Sequence, residues 1–489
     1  MTNPAQRLHF FFFLFFFLSL IPEVAITNYK GILCYPFFDM TIQRPRGTRD
    51  FLPEETMKRG RARKAMQDVL ERWGYQEVST PTFEHLELFT KKSGASVMEE
   101  IYSFPDKGGR DLALRPELTA PVMRMYVSEL QNSPKPQRLC YFGNCFRYER
   151  PQKGRFREFW QLGAELIGGA KPDSEAEAIA LSDQMLKSVG VTCDIHVGYL
   201  GLIRSMLGKI DAQHRPQVMR MIDKKEHEAL EAFLQEIGQS HLGLQELINL
   251  KGKKALDKAI DIAKVLGQVK EPSDILDSNV PSESMQAGRS SARQGRSVDA
   301  ELRMDEFQET VNLLEAYGVD FKIDFEIVRG LEYYSGTVFE IYAEGLGAQR
   351  QICGGGTYEL ASLFGGKETS STGFGLGFDR IMEIVQIEEK QTSPVFLVYT
   401  PDVKVEAIRI AKTLRRMDPK VPVILDVMGR SLTAQLKAAA SAGAGFAIII
   451  GRDELDAGSL TLRDMKEGTQ ESFTLADIED RLKMTFLDS

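Results

Sequence analysis

The chain contains few cysteines and histidines for its 489 residues, and neither type is clustered. The six histidines show no HExxH or comparable ligand spacing, so metal chemistry held by histidine is not expected. The cysteines are odd in number and form no CxxC pair, which argues against a disulfide framework or a zinc site. They indicate reduced thiols in a cytosol, and the chain is expected to be cytoplasmic. The five are Cys34, Cys140, Cys145, Cys193 and Cys353.

The chain also lacks an excess of positive charge. Its net charge is −8, and its hydrophobic and charged fractions of 43% and 27% are those of an ordinary globular protein. This balance argues against a surface coated in basic charge for bulk nucleic-acid binding, but it leaves room for a nucleic-acid partner at local basic patches. The length predicts roughly two to four domains.

The first 39 residues differ from the rest. Residues 9–21 form a mostly apolar run that is shorter than the roughly 20 residues of a transmembrane helix. With Arg7 before it, the run resembles the core of a signal peptide, yet no small-x-small cleavage site follows closely. Met40 opens a polar sequence, so we predict that it is the natural start and that 1–39 come from an over-long reading frame. A genuine membrane or export signal is the alternative.

Several catalytic patterns are missing as well. The sequence has no Ser/His/Asp or Cys/His nucleophile pattern, no glycosidase-like carboxylate pair and no Walker A motif. The GxGxG that begins at Gly373 follows no βαβ pattern, so a dinucleotide-binding fold is not expected. Arginines without a protein nucleophile favour catalysis by charge neutralisation, as in phosphoryl and adenylyl transfer.

The stretch FRYERPQKGRFREFWQLGAE, residues 146–165, is the most informative segment present. Pro151 to Gly154 predict a turn between two strands of a hairpin. Because side chains alternate along a strand, Arg157, Gln161 and Glu165 are expected on one face, and Phe156, Trp160, Leu162 and Leu166 on the other. The face with Arg157, Gln161 and Glu165 suits the floor of a substrate site, and the Arg-rich turn suits a loop that faces phosphate. A solvated hairpin with a basic tip would give the same periodicity.

The remaining pattern predicts an α+β organisation. Helices are predicted over 54–73, 117–130 and 174–189, and strands over 75–81 and 111–115. Apolar residues at helical spacing, in a region rich in lysine and glutamate, predict a helical insertion, and they are Leu230, Phe233, Leu234 and Ile237. The Ser-, Pro- and Gly-rich segment 271–298 predicts a linker. Alternating strands and helices after residue 391 predict a small α/β domain with a mostly parallel core. The predicted boundaries are 1–39, 40–200, 201–304, 305–390 and 391–489.

Six strings together carry a family resemblance: RGTRDFLP, LRPELTAPVMR, the hairpin, VRGLEYYSGTVFE, CGGGTYE and GFGLGFDR. They resemble the histidyl-tRNA synthetases, class II aminoacyl-tRNA synthetases, over essentially all of 40–489 except the linker. The resemblance implies an antiparallel catalytic sheet flanked by helices, a helical insertion that clamps tRNA, and a C-terminal α/β anticodon-binding domain. It implies a homodimer with the strand ending at Pro81 near the interface, and tRNA(His), L-histidine and ATP as substrates, with Mg²⁺ expected alongside ATP.

The resemblance also implies a role for individual residues. Glu117, Thr119 and Gln161 match positions that hold the substrate amino group, and Glu165 and Tyr334 match those that read the imidazole. The implied histidine site comprises Glu117, Leu118, Thr119, Gln161, Glu165, Tyr333 and Tyr334. Arg147, Arg329 and Arg380 match catalytic arginines at the ATP phosphates, with Arg329 where other class II enzymes place a metal. Arg155 lies in the loop that meets ATP, and no metal ligands are implied.

Two features leave alternatives open. CGGGTYELA carries Thr357, Glu359 and Leu360 where the family usually shows arginine, aspartate and glycine, and we expect this segment beside the histidine pocket. The main rival is the regulatory subunit of ATP phosphoribosyltransferase, a non-catalytic paralogue. Such subunits usually lack the C-terminal domain and often the arginine matching Arg329, whereas this chain has both. A membrane-tethered variant is a third reading.

Overall fold

The structure is a computed structural model that describes residues 42–93, 98–149, 155–238, 243–252, 254–268, 303–328, 333–347, 350–387, 393–417 and 420–487. The predicted extension 1–39, linker 271–298 and turn 151–154 lie outside these residues, as does Arg329. None of the helices in the described part of the chain is long and apolar enough to cross a membrane. The chain forms two compact units that divide between Val385 and Gln386. The finer domain boundaries expected from the sequence stay predictions.

The described residues of the first unit form eleven strands. They are β1 (Gln76–Glu77), β2 (Phe83–His85), β3 (Ser103–Pro105), β4 (Asp111–Leu114), β5 (Gln137–Phe146), β6 (Glu158–Ile167), β7 (Cys193–Tyr199), β8 (Phe321–Ile323), β9 (Tyr334–Ala343), β10 (Gln351–Tyr358) and β11 (Ser371–Gly377). Eight of them form one sheet in the order β1-β5-β6-β11-β10-β9-β7-β8, and β2, β4 and β3 form a small sheet.

The helices of this unit flank the large sheet or build the insertion. They are α1 (Pro53–Arg72), α2 (Leu86–Ser93), α3 (Thr119–Met125), α4 (Lys171–Lys187), α5 (Leu200–Gly208), α6 (Arg215–Asp223), α7 (His227–Glu236), α8 (Leu244–Ile248), α9 (Ala255–Gln268), α10 (Met304–Ala316), α11 (Leu360–Leu363) and α12 (Phe378–Ile384). Helix α4 is buried on more than one side, and its buried small residues Ala176, Ala178 and Ala180 leave room for its neighbours to pack closely.

The large sheet is antiparallel at its centre, as expected, but parallel at its two ends, so the whole sheet is mixed. Its central pairs, from β5 through β6, β11, β10 and β9 to β7, are antiparallel. The pairs at its two ends, β1 with β5 and β7 with β8, are parallel. Strand β1 is also shorter than the predicted 75–81, although the Val78 N–H after it still donates to the carbonyl oxygen of Cys140 at 2.8 Å.

The helix and hairpin predictions are otherwise confirmed. The helix predicted over 54–73 is α1, which has Pro53 in its first turn, where its missing N–H is not needed. The helix predicted over 117–130 is α3 followed by a π-helical turn, Tyr126–Leu130. Strands β5 and β6 pair from Gln137 with Ile167 to Phe146 with Glu158, so the hairpin is present with a longer loop than expected.

The helical insertion is attached to the sheet by a buried charge cluster. The Asp324 and Glu326 side chains are only 5% and 3% exposed. The Nζ of Lys251 lies 2.6 Å from Glu326 Oε2, and the Nε2 of His227 lies 3.0 Å from Oε1. On the sheet side, His196 Nδ1 lies 2.8 Å from Asp324 Oδ2. Cations of the insertion therefore neutralise carboxylates in the segment that leads to Arg329.

The second unit has its own five-stranded sheet in the order β13-β12-β14-β15-β16. Its strands are β12 (Val395–Tyr399), β13 (Val423–Leu425), β14 (Phe446–Ile450), β15 (Leu460–Asp464) and β16 (Gln470–Phe473). Its helices are α13 (Lys404–Leu414), α14 (Leu432–Ser441), α15 (Arg452–Asp456) and α16 (Leu475–Leu487). Strand β12 pairs in parallel with β13 and with β14, in agreement with the predicted parallel core. Strands β15 and β16 extend the sheet as an antiparallel hairpin that the sequence did not predict.

Candidate functional site

A cavity of about 1080 Å³ lies in the first unit, along the central strands of its large sheet. Eight of the ten site residues that the sequence predicts and the structure describes line it. They are Glu117, Thr119, Arg147, Gln161, Tyr333, Tyr334, Arg380 and, from the ATP-facing loop, Arg155. The cavity therefore brings together the residues expected for histidine and those expected for ATP.

Glu165 lies beneath this cavity and is fully buried. The Tyr141 hydroxyl donates to Oε1 at 3.2 Å, and the Tyr358 hydroxyl donates to Oε2. Burial raises the pKa of Glu165 to about 7, although hydrogen bonds from Tyr358, Thr119 and Tyr141 oppose the shift. In its ionised form this carboxyl group can accept a hydrogen bond from an imidazole N–H.

We expect the Glu165→Gln variant to show a KM for histidine raised about 10- to 100-fold, because an amide accepts a weaker hydrogen bond than a carboxylate. In the wild-type protein, lowering the pH through about 7 protonates Glu165, so the KM for histidine should rise on the acidic side. In the Glu165→Gln variant, the KM for histidine should depend on pH only through the titration of free histidine itself. Both predictions are checked by measuring the KM for histidine across this pH range in pyrophosphate exchange. A variant with the same pH profile as the wild-type protein would contradict the assignment of this titration to Glu165.

Glu117 lies just before α3 and has two kinds of partner. The backbone N–H of Ala120 donates to its Oε1 at 3.1 Å, so this carboxylate, two residues before the first helical residue, accepts from a free N–H group of the helix N-terminus. Lys92, at the end of α2, places its Nζ 3.2 Å from Oε2. The helix therefore fixes the carboxylate at the cavity wall, where 17% of the side chain is exposed.

The predicted arginines that line the cavity are held by hydrogen-bond acceptors of the protein. Arg147 Nε donates to the carbonyl oxygen of Pro116 at 3.0 Å, and Arg380 Nη1 donates to that of Gln351 at 2.6 Å. Arg155 Nη1 lies 3.1 Å from Glu149 Oε2. Burial lowers the pKa of Arg380, and the positive charges of Arg155 and Arg147 lower it further. Mutual repulsion of this kind is relieved by a bound anion, so this region suits phosphate.

Leu118 and Arg157, unlike Glu165, lie away from the cavity. The Leu118 side chain is 2% exposed and packs in the hydrophobic core with Val122, Tyr126 and Leu139. Arg157, expected in line with Gln161 and Glu165, precedes the first residue of β6 and turns away. Its guanidinium stacks over the Tyr148 ring at 4.4 Å, and Nε donates to the carbonyl oxygen of Glu149 at 3.2 Å. The expectation that Arg157 belongs to a substrate floor is wrong, because strand alternation ends where the strand ends.

The sequence reasoning missed several residues that line the cavity, among them Lys92, Tyr141, Tyr358 and Asp379. Tyr358 and Asp379 lie inside two of the strings that carry the resemblance, CGGGTYE and GFGLGFDR, and only their roles were missed. Asp379 accepts from Arg59 Nη1 at 2.8 Å and from the backbone N–H of Trp160 at 2.6 Å. Lys92 and Tyr141 carry no signal in a single sequence, since a lysine in a Lys-Lys pair is typical of a solvated helix end.

The departures in CGGGTYELA lie away from the histidine pocket, contrary to expectation. Thr357 is fully buried on the α4 side, where its hydroxyl donates to Glu175 Oε1 at 2.7 Å. Hydroxyls of Thr310 and Thr337 donate to the other oxygen of Glu175 at 2.9 and 2.6 Å. Leu360 is core, and Glu359 lies 3.9 Å from Lys171 Nζ. A threonine cluster therefore satisfies a buried carboxylate at this position.

Comparison with known sequences decides the family. A family model described as Histidyl-tRNA synthetase matches residues 47–381, and one described as Anticodon binding domain matches residues 384–485. The chain belongs to the histidyl-tRNA synthetase family. The predictions of this family, of an aminoacyl-tRNA synthetase and of a C-terminal anticodon-binding domain are confirmed.

Named relatives of this synthetase family agree. The chain is similar to the histidine–tRNA ligase of Methanosarcina acetivorans, with 49% identity over 91% of this chain and 99% of the relative. It resembles the solved apo histidyl-tRNA synthetase of S. aureus at 25% identity and a TM-score of 0.64, covering 91% of this chain and 100% of that one. A Bacillus halodurans structure titled as a phosphoribosyltransferase regulatory subunit/histidyl-tRNA synthetase is 26% identical, with a TM-score of 0.67 over 84% of this chain and 99% of that one.

Proposed function

We propose that this chain attaches L-histidine to tRNA(His) in two steps, through a histidyl-adenylate. The observation that carries the proposal is that one cavity holds both sets of groups that adenylation requires. Glu117, Thr119 and Gln161 stand where an ammonium can be bound, and Glu165 lies beneath them with Tyr141 and Tyr358. Arginines stand in the same cavity for phosphate.

The chemistry follows from the charges. In the first step a carboxylate oxygen of histidine attacks the α-phosphorus of ATP, and the bond to pyrophosphate breaks. The substrate supplies its own nucleophile, so the protein must orient the two reactants and stabilise charge on phosphate oxygens. Arg147 and Arg380 are held by backbone carbonyls in the cavity for this task, and we assign Arg329 to it from the sequence. Mg²⁺ is expected to enter with ATP as part of the substrate.

In the second step a hydroxyl of the terminal ribose of tRNA attacks the carbonyl carbon of the adenylate, and AMP leaves. A pocket built to hydrogen-bond the imidazole rejects analogues that lack its groups by roughly 10⁴ or more, so no editing domain is needed. We therefore infer that the insertion clamps tRNA and that the C-terminal unit reads the anticodon. A homodimer and a cytoplasmic location are part of the same proposal.

Histidine-dependent exchange of labelled pyrophosphate into ATP tests the first step, and charging of tRNA(His) tests the second. We expect exchange that requires histidine and falls about 10²- to 10³-fold in Arg329→Ala, the loss typical when a group that stabilises the transition state is removed. Absence of exchange from folded protein that still binds histidine would contradict the proposal. That outcome would favour the regulatory paralogue of ATP phosphoribosyltransferase.

A further inference from the structure

Lys92 is a charged side chain inside the cavity that the proposed mechanism does not use. It lies at the end of α2, and its side chain is only 7% exposed. Its Nζ lies 3.2 Å from Glu117 Oε2 and 4.6 Å from the centre of the Tyr333 ring. Burial lowers the pKa of Lys92, but Glu117 and Tyr333 outweigh this, and the pKa lies above its ordinary value. The lysine is therefore a buried ammonium.

A buried ion pair of this kind needs an explanation. Taking two charges out of water costs about as much as their attraction returns, so such a pair adds little stability compared with apolar side chains. Glu117 already has a partner in the Ala120 N–H, which fixes the carboxylate without the lysine. A cation held against the carboxylate at the cavity wall is more readily explained by what the cavity binds.

We propose that the Lys92–Glu117 ion pair opens to receive the amino-acid zwitterion, with the α-ammonium on Glu117 and the α-carboxylate on Lys92. This inference rests on the proposed function, because it concerns how that same site takes histidine. The exchange keeps the site neutral: one ion pair is replaced by two, and no charge is left alone in a poorly solvated cavity. The Tyr333 ring offers the lysine a favourable surface while it shifts.

The type of cation supports this assignment. Lysine is a point charge on a flexible stem, which suits a partner that must move, whereas the guanidinium groups of Arg147 and Arg380 are tied to backbone carbonyls. The carboxylate of histidine also loses its charge when the adenylate forms. A contact from Lys92 therefore favours free histidine over the product, and its loss should raise the KM for histidine more than it lowers kcat.

The test compares histidine with histidinol, which carries a CH₂OH group in place of the carboxylate. Calorimetric titration gives Kd for both ligands with wild-type protein and with Lys92→Met. We expect the variant to lose about 10- to 100-fold in affinity for histidine, as for a hydrogen bond to a charged group. Its affinity for histidinol should not fall, because histidinol has no carboxylate to pair with the displaced lysine. Lys91→Met is the matched control, because Lys91 is half-exposed and pairs with Glu87 on the helix surface.

Other outcomes separate the possible failures. An equal loss of affinity for both ligands would overturn the inference, since Lys92 would then only position Glu117. A gain in affinity for histidine would also overturn it, since the lysine would then compete with the ligand. If circular dichroism shows that Lys92→Met does not fold, the neutral Lys92→Gln variant is measured in its place, with the same expected changes in affinity. Wild-type protein that binds neither ligand would overturn the proposed function itself, and this inference with it.

Discussion

Replacing Gly373 with alanine is expected to reduce histidine-dependent pyrophosphate exchange by about 100-fold or more, the loss typical of a misplaced binding group. Gly373 on β11 pairs with Glu165 on β6, and an added Cβ would lie 1.6 Å from Glu165 Oε2 and 2.8 Å from the carbonyl oxygen of Ala164. The carboxylate cannot move aside easily, because Tyr141 and Tyr358 hold it from two sides. The methyl group therefore forces the carboxyl group out of the geometry in which we propose that it reads the imidazole.

Gly375→Ala provides the comparison on the same strand. An added Cβ there would meet its nearest neighbours, Gln161 Nε2 and the Tyr141 hydroxyl, at 3.9 and 4.0 Å, which are ordinary contacts. The loss in this variant should be far smaller. Exchange rates, histidine Kd and Tm of both variants are measured together. A Gly373→Ala protein with wild-type affinity for histidine would show that the position of Glu165 does not govern recognition.

Arg147→Ala is expected to lower kcat for pyrophosphate exchange about 10²- to 10³-fold while changing the KM for histidine little. The reason is that a cation on the α-phosphate acts where charge develops in the transition state, in a cavity with little water to replace it. Arg147 follows the last residue of β5 and is held by the Pro116 carbonyl, so it is positioned before the substrate binds. Steady-state exchange kinetics with varied histidine and varied ATP separate the two effects.

Arg138→Ala is the matched control, since Arg138 lies at the opposite end of β5 and is paired with Glu177 at 2.7 Å on the other side of the unit from the proposed chemistry. This variant should retain its kcat. A loss of similar size in both variants would mean that β5 had been damaged generally. A raised KM for histidine with unchanged kcat in Arg147→Ala would place this arginine in amino-acid binding.

Local patterns predicted much of the fold, and long-range contacts limited the rest. Helix α1, strand β4 and the β5–β6 hairpin follow from periodicity and from proline and glycine positions, which are local signals. The parallel edge pairs and the β15–β16 hairpin depend on where distant segments meet. Arg157 shows the same limit, because alternation predicts a face only as far as the strand continues.

The candidate site divides in a similar way. The residues that line the cavity were predicted largely through the family resemblance, since Glu117 alone would be assigned to a helix N-terminus. The partners that tune them were not predicted: Tyr358 reaches Glu165 across 193 positions of sequence, and Asp379 reaches Arg59 across 320. Nothing local to Thr357 indicates that it faces Glu175 and not the cavity.

Glycines occupy paired positions in the middle of the large sheet, where Gly354, Gly375 and Gly163 stand side by side on β10, β11 and β6. Gly356 and Gly373 form the next row and lead to Glu165. This part of the pocket is made of backbone, so a designer has no side chain there to trim. Substitution at these positions can only make the pocket smaller. Redesign for a bulkier amino acid would have to move whole strands apart, whereas redesign for a smaller one could begin with a single methyl group.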